Sequence, residues 1–200
     1  MTRAVVLVLP GGTADSLAPT SRAGLPALRM LPFARGLHRA GRRIGMAAWT
    51  LHYRYQGWNG EQASPLADIG WALGEVERRH GDVPVVLLGH SMGGRAALRA
   101  AGAPSVRAVI AFAPWLPDGE PIGQLAGRRL LVAHGTRDRV TSPRASRAFA
   151  ERARAVTQPV SWVPVSPDTH AMLLRYRTWQ RLAITFTVSS LSTPSETGVK

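Results

Sequence analysis

Short apolar runs recur along the chain at Ala4–Leu9, Ile44–Leu51, Val83–Leu88, Val106–Phe112, Arg129–Ala133 and Val160–Val165. They are rich in β-branched and large aliphatic residues and show little polar alternation, the pattern of parallel strands covered on both faces. Helical patterns lie between them. Ser64-Pro65 offers an N-cap and a proline at the first helical position, Leu66, Ile69, Leu73 and Val76 follow at helical spacing, and Gly81 closes the segment. Ser142-Pro143 repeats the start signal, with Ala145, Phe149, Ala153 and Val156 on one face, and Phe33, Leu37 and Ala40 mark a weaker helix stopped by Gly41. Strands alternating with helices predict an α/β fold: a three-layer α/β/α sandwich around a mostly parallel sheet of about six strands. One domain over residues 1–188 is expected, followed by a Ser/Thr-rich tail over 189–200 that reads as flexible. Tryptophans such as Trp71 and Trp162 read as core filling.

One stretch carries more than fold. Val85-Val86-Leu87-Leu88-Gly89-His90-Ser91-Met92-Gly93-Gly94 runs from a buried strand through Gly-x-Ser-x-Gly into an Ala-rich helix. A serine raised above a sheet must sit on a sharp strand-to-helix turn, and only small residues two before and two after it avoid clashes there. The helix N-terminus also lends partial positive charge to an oxygen that becomes an oxyanion. Two further chemical groups follow strands. Asp138 comes after the run ending at Ala133, and His170 lies in the loop after Val165.

The segment Gly89–Gly94 resembles the nucleophile elbow of the α/β-hydrolase family. The resemblance covers about residues 4–187 and implies the chain order nucleophile, acid, histidine, which Ser91, Asp138 and His170 satisfy on the expected element ends. Asp168 is the second choice for the acid, being only two residues from His170. The implied roles are Ser91 as nucleophile, His170 as base and then acid, and Asp138 as the group that orients the imidazole. Leu7-Val8-Leu9-Pro10-Gly11-Gly12-Thr13 looks like the family's oxyanion loop, with Pro10 where a histidine is frequent. By position, the backbone N–H groups of Gly12 and Met92 would hold the oxyanion. About sixteen residues separate the strand after the elbow helix from the next one, too few for a multi-helix lid, and the chain starts directly on the oxyanion strand. The resemblance therefore implies a minimal hydrolase lacking a lid and the family's first strands. Trp115, Tyr53 and Trp58 are candidate substrate-binding aromatics, with core packing as their alternative reading.

Composition narrows the rest. The sequence has 200 residues and no cysteine, which excludes disulfides, thiolate catalysis and cysteine metal sites. The His52, His90 and His134 spacings suggest no metal site, and no cofactor is expected. The 25 basic residues, all arginine but Lys200, outnumber 12 acidic ones for a net charge of +13. They are dispersed, with no recognisable nucleic-acid module, so neither nucleic acid nor a membrane span is expected as a partner. Arg54 and the positive field raise the question of an anionic substrate. No signal peptide is recognisable, so a cytoplasmic location is expected. The expected reaction is hydrolysis of a small to medium carboxylic ester or thioester through an acyl-enzyme. Acyl transfer or perhydrolysis by the same residues is the alternative, and a non-catalytic binding protein is a third reading. Natural substrate and oligomeric state are not legible.

Overall fold

The computed structural model describes residues 1–192. Six parallel strands form one sheet in the order β2-β1-β3-β4-β5-β6. They are β1 (Ala4–Leu9), β2 (Met46–Thr50), β3 (Val85–His90), β4 (Val106–Phe112), β5 (Arg129–Gly135) and β6 (Val160–Val165). Every apolar run of the sequence overlaps one of these strands, β3 and β5 each running two residues beyond theirs, and every sheet pairing is parallel.

The side-chain period of two divides the strands between two cores. Val5, Leu7, Leu9, Val85, Leu87, Val109, Ala111, Leu130 and Val132 face α2 (Ser64–His80), α3 (Met92–Arg99) and α4 (Pro143–Ala153). The alternate residues, among them Val6, Val8, Val86, Leu88, Ile110 and Leu131, face α1 (Leu25–Gly41) and α5 (Tyr176–Ser192). Both faces are covered by helices, which is why polar alternation is missing from the strands.

Three sequence expectations change. Ser64 does not cap α2; that position falls to Ala63, and Ser64 Oγ instead accepts from Asn59 Nδ2 at 3.0 Å. Ser142 does cap α4, accepting from the Ala145 N–H. Trp71 is not core: it is 68% exposed, on the face of α2 opposite Ile69, Ala72 and Val76. Finally, Ser189 to Ser192 belong to α5 rather than to a tail, and the remainder of the expected tail, 193–200, lies outside the described residues. α5 escapes a periodicity reading because its buried face is Trp179, Ala183, Thr187 and Ser190, two of them polar.

The strand order fixes where a site can form. The chain leaves β1 for β2 on one side and returns through α2 to β3 on the other, so β1 and β3 are adjacent while their connections diverge. A crevice opens at the carboxyl ends of strands at such a switch point. The loops after β1, β3, β5 and β6 all emerge at that edge.

Candidate active site

β3 ends at His90 and α3 begins at Met92, leaving Ser91 alone to make the turn at φ 56°, ψ −120°. A non-glycine residue there is strained, and the surroundings hold it. Ser91 N–H donates to Phe112 O at 3.0 Å, while Ser91 O accepts from Trp115 N at 3.1 Å and from Arg95 N at 3.2 Å. The two flanking glycines are sterically required. A Cβ on Gly89 would lie 2.0 Å from Gly93 O, and one on Gly93 would lie 2.3 Å from Pro10 O. Ser91 is 9% exposed, and its Oγ has no hydrogen-bonding protein partner among the described residues.

The loop after β1 folds down onto this turn. A Cβ on Gly11 would stand 3.3 Å from Ser91 Cβ, and one on Gly12 would strike Met92 Cε at 2.5 Å and Gln56 O at 2.3 Å. Pro10, in place of a histidine, offers no hydrogen-bonding side chain to brace this loop. The bracing comes from backbone pairing with the segment after β2: Thr13 N to Gln56 O at 2.9 Å and Trp58 N to Thr13 O at 3.0 Å.

Asp138 and His170 meet across two loops. His170 Nδ1 is 2.7 Å from Asp138 Oδ2. His170 is placed beside the elbow by His90, whose Nε2–H donates to His170 O at 3.0 Å and whose ring centroid lies 4.7 Å from that of His170. With Nδ1 engaged by Asp138, His170 Nε2 is the nitrogen left without a protein partner among the described residues.

Asp138 has more donors around it than the sequence indicates. Its Oδ2 also accepts from His134 Nε2 and Thr141 Oγ1, each at 3.0 Å, and its Oδ1 accepts from Val140 N at 2.7 Å and Thr141 N at 3.0 Å. Burial alone would raise its pKa; hydrogen bonds from His134, His170 and the Thr141 and Val140 backbone outweigh that and hold it well below the usual carboxylate range. His134 is fully buried, with Nδ1 2.8 Å from Ser146 Oγ. The network assigns the proton on Nε2 to the Asp138 bond and makes Nδ1 the acceptor of the Ser146 hydroxyl. His134, near the end of β5, and Ser146, on α4, are the neighbours sequence reading missed; which residues of a strand end and a helix meet beside the acid has no periodic signature.

Asp168 is used elsewhere. Fully buried, it accepts from Thr169 N, Leu174 N, Arg175 N and Trp179 Nε1, at 2.7 to 3.3 Å, and so folds the His170 loop onto α5. His90 is also buried, and its Nδ1 has no partner. Burial, then the charges of His170 and Arg29, push its pKa down to about 3.

The aromatic candidates separate. Tyr53 is buried and lines a cleft of about 200 Å³ with Gly11, Gly12, Thr13, Pro26 and His52. Trp58 and Trp115 are not among the residues lining it. They hold Arg95, whose guanidinium lies 3.9 Å and 4.7 Å from their ring centroids and which pairs with the buried Glu120. Arg54, the expected contributor to an anionic preference, is tied to Asp68 by its backbone N–H and its side chain. Among the described residues no three His, Asp or Glu side chains gather to hold a metal ion, and no helix is long and apolar enough to cross a membrane.

A parallel α/β sandwich with a strained serine at the switch point and a carboxylate–imidazole pair on the neighbouring loops has the form of a hydrolase. Residues 4–150 match the alpha/beta hydrolase fold family, and the chain belongs to that family; it is an enzyme of hydrolase type. Solved structures give the same fold at low identity. An esterase of Thermogutta terrifontis with butyrate bound is 22% identical, with a TM-score of 0.68 over 98% of this chain and 86% of that one. Est1E of Butyrivibrio proteoclasticus with ferulic acid bound is 15% identical, with a TM-score of 0.68 over 96% and 91%. A Xanthomonas campestris serine hydrolase described as lacking a lid is 19% identical, with a TM-score of 0.65 over 96% and 84%. Here too, only a 3-10 turn (Gly123–Leu125) interrupts the connection from β4 to β5. No curated protein sequence matches the chain.

Proposed function

We propose that the protein is a serine esterase acting on small carboxylic esters, with Ser91, His170 and Asp138 as its triad. The observation that carries this reading is the 2.7 Å Asp138–His170 bond beside a serine at φ 56°. Ser91 Oγ attacks the acyl carbon as its proton passes to His170 Nε2. The oxyanion is held by the N–H groups of Gly12 and Met92, on the loop and helix start that pack together over the elbow. His170 gives the proton to the leaving oxygen, the acyl C–O bond breaks, and an acyl-Ser91 ester remains. Water, deprotonated by His170, then attacks the same carbon, and Ser91 regains its proton as the acid leaves. Asp138, kept ionised, holds His170 in the Nδ1–H tautomer and stabilises the imidazolium. The cleft beside the oxyanion loop accepts the acyl chain, and its volume of about 200 Å³ favours short ones.

A fluorophosphonate probe tests the nucleophile, and 4-nitrophenyl esters of graded length test the acyl preference. Labelling that is lost in Ser91→Ala, together with faster turnover of butyrate than of decanoate, is expected. An intact protein that does not label, or a Ser91→Ala variant that still does, overturns the assignment. Acyl transfer to an added alcohol exceeding hydrolysis would make the enzyme an acyltransferase.

A further inference from the structure

The mouth of the site carries charge that ester hydrolysis itself does not need. A second cleft, of about 530 Å³, is lined by Arg29 of α1, by Arg137 and Arg139 on the loop after β5, and by Thr169 and His170 on the loop after β6. None of these three arginines has an ion-pair partner among the described residues, whereas Arg54, Arg95, Arg99 and Arg147 are matched to Asp68, Glu120 and Glu151. The acids nearest in sequence are turned away. The Asp138 side chain is fully buried and faces His134 and His170, and Asp168 lies beneath the loop on Trp179. Three like charges lining one cleft raise a local positive potential that a bound anion relieves. Guanidinium forks match the planar oxygens of a carboxylate or the tetrahedral oxygens of a phosphate.

We propose that this cleft binds an anionic group, carboxylate or phosphate, carried on the leaving alcohol of the ester. The inference rests on the esterase reading and adds the substrate class to it. The side of the substrate follows from proton transfer. His170 lines the cleft, and His170 protonates the leaving oxygen, so the leaving group lies against His170 while the acyl chain takes the cleft by Gly11 and Gly12. The reaction is otherwise unchanged: the acyl C–O bond breaks, the oxygen takes the proton, and the anion leaves with its charge intact on the released alcohol.

The test compares butyrate esters of phenol, 4-hydroxybenzoate and 4-hydroxyphenyl phosphate. At low ionic strength the ratio of kcat/KM for an anionic over the neutral ester should exceed one by on the order of tenfold. It should fall by about as much in Arg29→Gln/Arg137→Gln/Arg139→Gln, mainly through KM. Because Arg137 and Arg139 flank Asp138, Arg29→Gln alone, on α1, provides a second variant, and Arg147→Gln on α4 should leave the ratio unchanged. The two anionic arms identify the preferred anion. A wild-type ratio near one, or a ratio indifferent to the three arginines, overturns the proposal. Calorimetric binding of 4-hydroxybenzoate and 4-hydroxyphenyl phosphate to Ser91→Ala, with and without the arginines, needs no turnover. Arginine-dependent binding without esterase activity or Ser91 labelling would sink the esterase reading and leave the anion cleft standing; no binding, or binding equal in both proteins, sinks the cleft.

Discussion

Asp138 and Asp168 each follow a parallel strand, β5 and β6, and each has its carboxylate shut away from solvent. What surrounds them differs in kind. Two of the groups on Asp138 are imidazoles, His134 and His170, whereas Asp168 is met by three backbone N–H groups and an indole, none of which titrates near neutral pH. A buried carboxylate ringed by fixed donors holds a loop in shape. One shared with an imidazole that has a second, uncommitted nitrogen can also govern where a proton sits. In the proposed mechanism Asp138 orients the base and Asp168 positions the loop that carries it.

Replacing each by asparagine is the sharpest way to break that contrast. Asp138→Asn should lower kcat on the order of 10⁴-fold, because an amide donor at that place favours the wrong His170 tautomer. Asp168→Asn turns an amide N–H toward donors in a buried site, which costs about 2–4 kcal/mol of stability, read as a lower midpoint in urea. Its residual activity at low temperature should stay well above that of Asp138→Asn. If Asp168→Asn abolished turnover with its unfolding midpoint unchanged, the two carboxylates would have the opposite roles.

His90 sharpens the comparison further, because it positions the His170 loop as Asp168 does but with a ring that can titrate. Its folded pKa is depressed to about 3, below the ordinary value of about 6.5. Between those values the unfolded chain binds the extra proton, so stability is fully present above pH 6.5 and is lost as pH falls toward 3. The loss is about 1.4 kcal/mol per pH unit, or about 2 kcal/mol between pH 6.5 and 5. His90→Phe, which keeps a ring against His170, should flatten the slope of unfolding free energy across that range. An unaltered slope would assign the acid sensitivity to another group.

Much of this was legible in the sequence. Asp138 and His170 were singled out by the resemblance to the α/β-hydrolase order, and the structure brings their side chains to 2.7 Å. The strands and the elbow follow from local pattern, because a parallel sheet writes its buried strands as apolar runs. Glycines at 89 and 93 could be read for the same reason: each meets backbone that any such turn brings close. What was not legible depends on which loops meet. Nothing in the order of residues says that Arg95 lies between Trp58 and Trp115, that Arg54 is held by Asp68, or that Arg29 on α1 shares a cleft with Arg137 and Arg139. α5 was missed because its inward face carries Thr187 and Ser190 where an amphipathic helix would show aliphatics.

The smallest expected effect lies one bond further from the chemistry. Ser146 Oγ donates to His134 Nδ1, and His134 Nε2–H donates to the same Asp138 oxygen that His170 uses. Ser146→Ala leaves Nδ1 without its donor inside a buried site, at a cost of about 1 kcal/mol. His134 keeps its Nε2–H on Asp138, because a proton on Nδ1 would have no acceptor and would leave a lone pair against the carboxylate, but the ring loses the contact that fixes its orientation. The donor to Asp138 is then less firmly aimed and the carboxylate holds His170 less rigidly, so kcat should fall by less than about tenfold while KM stays near its original value. The readout that separates this from simple loosening is the pH profile. With a more weakly held donor on Asp138, the carboxylate is less strongly held in its charged form and stabilises the His170 imidazolium differently. The acidic limb of kcat/KM should then move in Ser146→Ala but not in Arg147→Gln, its exposed neighbour on α4. An unmoved limb would reduce His134 and Ser146 to core packing and leave Asp138 with His170 as its one functional partner.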